Sequence, residues 1–338
     1  MSDNAPILVT GGAGYIGSHI VAELLSSGTP VVVLDNLSRG HREAVERAER
    51  IAGRKATLEV ADLCDTEAVQ RILQKHAPHV VIHVAAYKSV AESVAHPELY
   101  ERNNVDATRS LAGAMARTGI RRVVYASTGS VYGDRASEAY AEVDPTAPIN
   151  PYAATKLGGE EALAAFAAQI GGQVAFMRFF NVVGAHPSGE LGEFGDTSTN
   201  LLPILLDLLA DRRESLTVFG TDWDTPDGTC IRDYVHVCDV AAAMVAAARQ
   251  IDSIDSPRVF NVGTGLGTSV RELLTAVEQA AGKPLRAVDG PRREGDPGVS
   301  VASVSRIASE LGWTAERNLS EMVRSALVWD ERRSASLA

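Results

Sequence analysis

Cysteine is scarce in this chain of 338 residues, which contains only Cys64, Cys230 and Cys238. No two of them form a CxxC pair, so neither a disulfide framework nor a thiolate zinc site is indicated. The amino-terminal residues also lack a basic region followed by an apolar stretch, which argues against a secretory signal. These absences are typical of a reducing compartment, and we expect a cytoplasmic protein.

Basic residues are in the minority, with 32 Lys and Arg against 43 Asp and Glu, for a formal net charge of −11. This balance argues against nucleic acid as the partner. No uninterrupted apolar run approaches the ~20 residues that cross a bilayer, so we expect no membrane partner. Hydrophobic residues nevertheless make up 45% of the chain, enough for a large core, and the length suggests two domains.

Short β-branched runs alternate with Ala- and Leu-rich stretches of helical length. The runs occupy residues 7–10, 31–34, 80–84, 123–125 and 174–177. Strands that are apolar throughout are typical of a parallel sheet covered on both faces. The order therefore predicts an α/β fold with a doubly wound parallel Rossmann sheet.

The alternating pattern breaks after about residue 180, where Gly, Pro and Asp become frequent. We therefore expect a Rossmann domain in residues 1–181 and a smaller C-terminal substrate-binding lobe in residues 182–338. A helix-like stretch at 240–250 and a strand-like stretch at 258–262 follow. Part of residues 234–264 is thus expected to return to the Rossmann sheet.

The first functional motif follows the first predicted strand and opens a predicted helix that runs through Leu25. Gly11, Gly14 and Gly17 have GxxGxxG spacing. Glycine lets the backbone approach a pyrophosphate, whose charge then lies at the amino end of the helix. Three glycines at this spacing are weak evidence for a dinucleotide site when taken alone. The alternative is a tight turn between the strand and the helix.

Asp35, at the end of the second predicted strand, strengthens the dinucleotide interpretation. A carboxylate there accepts hydrogen bonds from both adenosine ribose hydroxyls and repels a 2′-phosphate, which favours NAD over NADP. The nearby Arg39 leaves the choice of cofactor partly open.

The second motif is Tyr152 and Lys156 on a helix predicted to start with Asn150 as its N-cap and Pro151 at its first position. Spacing of i and i+4 puts both side chains on one face. A free tyrosine has a pKa of about 10, so it acts as a base only if a nearby cation stabilises the phenolate. Lys156 and an oxidised nicotinamide are candidates for that cation, and an exposed helix pair is the alternative.

The third motif, at residues 126–133, follows a predicted strand at its carboxyl end, where open α/β sheets bind ligands. Ser127, Thr128 and Ser130 are all candidates for a hydroxyl that hydrogen-bonds the substrate oxygen. A polar turn is the alternative.

Together these motifs resemble the extended short-chain dehydrogenase/reductase family. Six segments are similar to its UDP-glucose 4-epimerase (UDP-galactose 4-epimerase) branch, namely 11–19, 34–37, 131–134, 181–189, 227–236 and 292–296. The last three are the specific ones, because many dehydrogenases, reductases and dehydratases share the glycine loop and YxxxK. The similarity runs nearly end to end.

The resemblance implies an NAD-dependent inversion at C4 of UDP-hexoses, which interconverts UDP-galactose and UDP-glucose through a 4-keto sugar. Tyr152 would take the proton of the 4-hydroxyl, and Lys156 would hold the nicotinamide ribose and lower the tyrosine pKa. Thr128 would take the position of the catalytic hydroxyl, which is often Ser in the family. A homodimer is also a family expectation.

The resemblance carries two sets of binding residues onto this sequence. Besides Tyr152 and Lys156, NAD would contact Gly11, Gly14, Tyr15, Ile16, Gly17, Asp35, Asn36, Leu37, Ser38, Arg39, Gly40, Asp62, Leu63, Val84, Ala85, Ala86, Lys88, Asn103 and Phe180. The UDP-sugar would contact Thr128, Asn181, Asn200, Val218, Phe219, Arg232, Tyr234, Arg293, Asp296 and Ser300. The arginines suit a diphosphate, which favours forked, permanently charged donors.

Ser300 bears on the substrate. In the family a large aromatic side chain at this position excludes N-acetylated sugars, so the serine implies that UDP-N-acetylglucosamine and its galacto epimer are also accepted. A 4,6-dehydratase is disfavoured because Gly129 and Ser130 follow Thr128, where that class has an acidic pair. A catalytically silent NAD-binding sensor is the other alternative.

No metal site is expected. His76, His79 and His83 lie close in sequence, but Pro78 interrupts a helix and His83 lies in a predicted strand. In an extended chain His79 and His83 are ~13 Å apart, too far to share an ion.

Overall fold

The computed structural model describes residues 5–134, 139–194, 200–293 and 296–337. Glu294 and Gly295, which belong to the predicted segment 292–296, lie outside these ranges. The strands are β1 Ile7–Thr10, β2 Val31–Asp35, β3 Thr57–Val60, β4 Val80–His83, β5 Arg122–Thr128, β6 Gln173–Phe179, β7 Asn181–Val183, β8 Leu216–Phe219, β9 Ile231–Arg232, β10 Tyr234–His236, β11 Arg258–Val262, β12 Thr268–Ser269, β13 Ala287–Gly290 and β14 Val299–Ser300.

The helices alternate with these strands in the first half of the chain. They are α1 Tyr15–Ser26, α2 Arg42–Ala52, α3 Thr66–His76, α4 Val90–Ala95, α5 Pro97–Tyr100, α6 Ala107–Thr118, α7 Pro151–Ile170, α8 Leu201–Leu209, α9 Val237–Arg249, α10 Val270–Ala281, α11 Ser305–Leu311 and α12 Leu319–Leu337. A π-helix spans Glu101–Asp106, and short 3₁₀ helices span Gly129–Tyr132 and Ile251–Ser253. No helix in the described ranges is long and apolar enough to cross a membrane.

The main sheet has seven parallel strands in the order β11-β6-β5-β4-β1-β2-β3. Apolar clusters cover both of its faces, which is why the inner strands are largely apolar and buried along their length. The doubly wound Rossmann prediction is therefore confirmed. Since β1 pairs with both β2 and β4, the strand order reverses there, and the carboxyl ends of these strands border a ligand crevice.

The predicted return of the chain to this sheet is also confirmed. Strand β11 pairs in parallel with β6, and Phe260 in β11 is fully buried. The remaining small strands form separate pairs and a three-stranded group around a second apolar core that includes Val218, Tyr234 and Leu273. The boundary between residues 181 and 182 stays a prediction.

Two sequence-based boundaries were wrong, and one strand of the main sheet was not predicted. The edge strand β3 has exposed residues at both ends, so it lacks the continuous apolar run that marks the inner strands. Strand β5 continues to Thr128, so Ser127 and Thr128 lie within the strand rather than in a turn after it. Helix α9 starts at Val237, three residues before its predicted start, because the His236 ring accepts a hydrogen bond from the backbone N–H of Cys238 and caps it.

The turn between β1 and α1 leaves no space for side chains, which yields a stability prediction. A Cβ at Gly17 would lie 2.0 Å from the carbonyl oxygen of Gly11. We expect Gly17→Ala to lower the free energy of unfolding by at least about 1–3 kcal/mol through overpacking. The matched control is Gly113→Ala in α6, where a Cβ would meet nothing nearer than Arg117 Nη1 at 3.8 Å.

Alanine is favoured over glycine inside a helix, so the control variant should be at least as stable as the wild type. Urea unfolding of both variants checks the prediction. Equal effects of the two substitutions would contradict it.

Candidate active site

The glycine turn forms a cradle for a phosphate group. Gly11 has a φ of +68°, and a Cβ built on it would lie 2.7 Å from the Cα of Ala85. Gly14 is the N-cap of α1, and no side chain caps this helix end. The backbone N–H groups of the first turn therefore face an approachable surface, which fits the pyrophosphate of a dinucleotide.

The carboxylate of Asp35 lies at the carboxyl end of β2, beside this turn. It accepts hydrogen bonds from the backbone N–H groups of Ala13 (3.0 Å) and Leu37 (2.8 Å). Burial raises the pKa of Asp35, and the two backbone donors oppose that shift. Its oxygens would lie 2.9 Å from a Cβ at Gly40, so the chain from Asn36 to Gly40 wraps closely around the carboxylate.

Arg39 is paired rather than free. Its guanidinium lies 2.6 Å from Glu92 and 4.9 Å from the ring centroid of Tyr87. This pairing offsets the charge that would attract a 2′-phosphate, so the pairing favours NAD as Asp35 does.

The other predicted cofactor residues lie around the ends of β1, β3 and β4. Val84 and Ala85 donate their backbone N–H groups to the carbonyl and hydroxyl oxygens of Thr10. Ala86 follows them in the chain, and Ile16 opens α1 beside the glycine turn. Asp62 accepts from the backbone N–H of Cys64, and the adjacent Leu63 is buried.

Two further cofactor candidates are engaged by other protein groups. The ammonium of Lys88 pairs with Glu193 and lies 5.7 Å from the ring centroid of Tyr15. The amide of Asn103 donates to the carbonyl oxygen of Leu99, within the helical segment that includes the π-helix.

Tyr152 and Lys156 lie in the first two turns of α7. Asn150 caps this helix as predicted, by accepting a hydrogen bond from the backbone N–H of Ala153 (2.9 Å). Lys156 is 3% exposed, and its ammonium lies 4.2 Å from the ring centroid of Tyr125. Burial lowers the pKa of Lys156 to about 7, and Glu160 opposes this shift.

The three candidate hydroxyls have different surroundings. Burial raises the pKa of Tyr152, and a hydrogen bond with Thr128 lowers it. Ser127 points to the face of β5 opposite to Thr128, and its hydroxyl donates a hydrogen bond to Glu160. Thr128 also hydrogen-bonds the backbone N–H and the hydroxyl of Ser130, each at 3.2 Å. That Lys156 lowers the pKa of Tyr152 stays a prediction.

Phe180 and Asn181 connect this cluster to the second part of the chain. The ring of Phe180 abuts Gly129, where a Cβ would lie 2.9 Å from it. Asn181 donates its backbone N–H to the carbonyl oxygen of Asp233 (2.8 Å), and it lies opposite Tyr234 in the β7–β10 pair.

Arg232 and Ser300 are register partners in the parallel β9–β14 pair. The Arg232 guanidinium lies 3.9 Å from Asp296 and is largely buried. Asp233 holds this region together, because its carboxylate accepts from the backbone N–H groups of Gly265 and Ala302. Arg232, Asp296 and Ser300 therefore form one polar surface.

The two adjacent arginines of segment 292–296 have different environments. Arg293 lies 4.3 Å from the ring centroid of Phe219, which is itself partly exposed beside the buried Val218. Arg292 instead pairs with Asp222 at 2.8 Å. Asn200 is exposed at the amino end of α8.

The three histidines considered for a metal site have separate partners. His76 pairs with Glu59, and His83 hydrogen-bonds both Thr10 and Thr108. No group of three or more potential metal ligands occurs among the described residues.

Sequence reasoning missed the residues that support the site. Asn104, in the π-helix, hydrogen-bonds both backbone groups of Tyr87 and the hydroxyl of Thr155. Glu160 and Arg178 form a buried ion pair behind Lys156 and Ser127. Only the i, i+4 spacing of Lys156 and Glu160 was a readable signal, since the other contacts join residues distant in sequence.

Comparisons with known proteins agree over nearly the whole chain. Residues 7–263 match the model of the NAD dependent epimerase/dehydratase family. A UDP-glucose 4-epimerase of Azospirillum brasilense is 42% identical over 332 residues, which are 98% of this chain and 93% of that protein.

Solved structures give the same result. A UDP-glucose 4-epimerase from Stenotrophomonas maltophila, with bound NAD and formylated UDP-arabinopyranose, is 40% identical with a TM-score of 0.95, covering 98% of this chain and 100% of that one. The UDP-Glc/GlcNAc 4-epimerase of Campylobacter jejuni is 35% identical with a TM-score of 0.86, covering 97% and 100%.

The buried ammonium of Lys156 predicts a pH-dependent stability. The pKa is about 7 in the folded chain and about 10.4 in an unfolded one. Between these values only the unfolded state holds the proton, so the contribution of Lys156 to the stability of the wild type rises with pH. Relative to the wild type, Lys156→Met should lose stability across this window, by at most about 1.4 kcal/mol per pH unit.

Urea unfolding of both proteins without added cofactor, from pH 6.5 to pH 9.5, measures this difference. Groups that titrate in the same way in both proteins do not contribute to the difference in their unfolding free energies. A difference that does not change with pH would contradict the prediction.

Proposed function

The chain belongs to the NAD dependent epimerase/dehydratase family, and we propose that it is an NAD-dependent UDP-glucose 4-epimerase that interconverts UDP-galactose and UDP-glucose. The observation that carries this proposal is the cluster of Thr128, Tyr152 and Lys156 at the carboxyl edge of the sheet. Asn181 and the surface formed by Arg232 and Ser300 continue from the same edge through Phe180.

The residues present fit NAD. The glycine cradle suits the pyrophosphate, Asp35 suits the adenosine ribose, and the uncapped end of α1 suits a negative charge. When bound, NAD supplies a reversible acceptor for the hydride at C4. Lys156 would hold the nicotinamide ribose from its buried position.

The protein groups then handle the proton of the 4-hydroxyl. Thr128 would position that hydroxyl, and Tyr152 would accept its proton as the C4–H bond breaks, which leaves a 4-keto sugar. Inversion requires the sugar to present its other face before Tyr152 returns the proton. Arg232 and Arg293 suit the diphosphate, which would stay bound while the hexose turns.

A 4,6-dehydratase is the second candidate, but its elimination of water needs an acid–base pair beside the catalytic threonine. Here Gly129 and Ser130 follow Thr128, and the Ser130 backbone N–H is hydrogen-bonded to the threonine hydroxyl. This arrangement supports epimerisation. The intact Thr128, Tyr152 and Lys156 likewise argue against a silent NAD-binding sensor.

We also propose a cytoplasmic homodimer. The support for the compartment is that Cys64, Cys230 and Cys238 are all free thiols. The support for the dimer is the resemblance to the extended short-chain dehydrogenase/reductase family, and light scattering tests it.

Incubation of the purified protein with UDP-galactose, without added NAD, tests the function. We expect conversion to UDP-glucose, and release of NAD on denaturation.

Tyr152→Phe should lose about 10²-fold or more of kcat, because it removes the acid–base group while bound NAD and the fold persist. Absence of conversion by a wild type that carries NAD contradicts the proposed activity, and near-normal turnover by Tyr152→Phe removes the tyrosine from its role.

Ser300 generates a prediction about the substrate. Its small side chain lies beside Arg232 in the β9–β14 pair, so it leaves space next to the proposed diphosphate site. We expect turnover of UDP-N-acetylglucosamine as well as UDP-galactose, and Ser300→Tyr should lose the first by more than 10-fold while keeping the second within about three-fold. Activity on UDP-galactose with no detectable turnover of either N-acetylated sugar nucleotide would contradict this.

A further inference from the structure

A buried charged network lies directly behind the candidate active site. Glu160, on α7, accepts hydrogen bonds from Arg178 Nε (2.9 Å) and Nη2 (2.7 Å) in a bidentate pair. It also accepts a hydrogen bond from the hydroxyl of Ser127. All three side chains are buried, and Ser127 and Arg178 are register partners in the β5–β6 pair.

The network joins the two elements that carry the proposed chemistry. Glu160 follows Lys156 by one helical turn and Tyr152 by two, so the three residues lie along one face of α7. Ser127 immediately precedes Thr128 in β5. A shift of α7 along the sheet would therefore have two effects at once. It would break the contacts of Glu160, and it would separate Tyr152 from Thr128.

Stability alone does not explain this ion pair. Burying two charges costs free energy, and replacing a buried pair by apolar residues of similar volume is often neutral or stabilising. The remaining partner of Arg178 is the ring of Tyr132, 4.8 Å from the guanidinium, whose hydroxyl donates to Asn261 (2.7 Å). The network thus continues away from the site into β11.

We propose that Glu160 is a positioning residue of this enzyme: clamped by Arg178 and Ser127, it fixes the helix that carries Tyr152 and Lys156 against the strand that carries Thr128. Its effect on turnover rests on the proposed epimerase function. Its effect on Lys156 does not depend on that function, because Glu160 acts on Lys156 from one turn further along the same helix.

The charges around Lys156 give Glu160 a second effect. The titratable groups that face the ammonium are Tyr152 and Glu160 on α7, Tyr125 on β5 and His83 on β4. Burial lowers the pKa of His83 to about 3 and raises the pKa values of Tyr125 and Tyr152, so all three are neutral near pH 7. Of these four groups, Glu160 therefore supplies the negative charge that favours protonated Lys156.

A lysine titration tests this directly. The chain has lysine only at positions 55, 75, 88, 156 and 283, so ¹³C labelling of the lysine ε-carbons gives a spectrum in which Lys156→Arg assigns the Lys156 signal. The experiment uses the purified protein with its bound cofactor. Glu160→Gln keeps the side-chain shape and removes the charge, and Glu160→Asp keeps the charge with a shorter reach.

We expect Glu160→Gln to move the Lys156 midpoint at least about one pH unit lower, since one unit corresponds to 1.36 kcal/mol of interaction. With UDP-galactose, kcat should fall at least 10-fold with KM within three-fold, and the alkaline limb of kcat should move to lower pH with the Lys156 midpoint. Glu160→Asp keeps the charge, so its Lys156 midpoint and its alkaline limb of kcat should both lie between those of Glu160→Gln and the wild type.

Asp239→Asn is the matched control, because it removes a buried carboxylate from another ion pair, with the partly exposed Arg317, outside the site. It should lower thermal stability and leave the Lys156 midpoint and the pH profile of kcat unchanged. If Glu160→Gln does not fold, the double variant Glu160→Met/Arg178→Met replaces the pair by apolar residues. It should show a loss of kcat and a smaller downward shift of the Lys156 midpoint, because the Arg178 cation is removed together with the Glu160 carboxylate.

A folded Glu160→Gln or double variant whose Lys156 midpoint and kcat profile match the wild type overturns the proposal. A wild type that is inactive on UDP-galactose contradicts the epimerase function instead. In that case the lysine titration alone decides whether Glu160 acts on Lys156.

Discussion

The burial of one ammonium group is the constraint on which the site depends. Lys156 is almost fully enclosed, and an enclosed cation needs compensation. The structure supplies it from two sides, with the face of Tyr125 on β5 and the carboxylate of Glu160 on α7. Because Glu160 is itself clamped by Arg178 on β6, the position of the lysine is tied to two neighbouring strands.

The parallel sheet brings the rest of the site to this lysine. Carboxyl ends of parallel strands meet at one edge, so the glycine turn after β1, Asp35 after β2 and Thr128 at the end of β5 converge although they are distant in sequence. The net charge of −11 opposes an anionic substrate, and the second part of the chain offsets it locally with Arg232 and Arg293. In the proposed function, local charge therefore favours binding of the anionic substrate against the overall field.

The motifs and the alternation of strands and helices were predictable because they depend on local signals. Glycine spacing, the Asn150–Pro151 helix start and the apolar runs each reflect a contact or conformation within a few residues. Strand β3 was missed because an edge strand has no continuous apolar run. From the residues alone Ser127 was not separable from Thr128, and only the family resemblance assigned the catalytic hydroxyl position to Thr128. The Glu160–Arg178 pair and the contacts of Asn104 depend on tertiary packing, which one sequence does not encode in a readable pattern.

The central claim is that C4 is inverted by removal and internal return of its hydrogen, while Tyr152 exchanges only the hydroxyl proton. The most direct measurement is conversion of UDP-galactose that carries deuterium at C4, in ordinary water, with mass spectrometry of the UDP-glucose formed. The account predicts that the product keeps its deuterium at C4, because the hydride never meets solvent. Replacement of that deuterium by solvent hydrogen would contradict it.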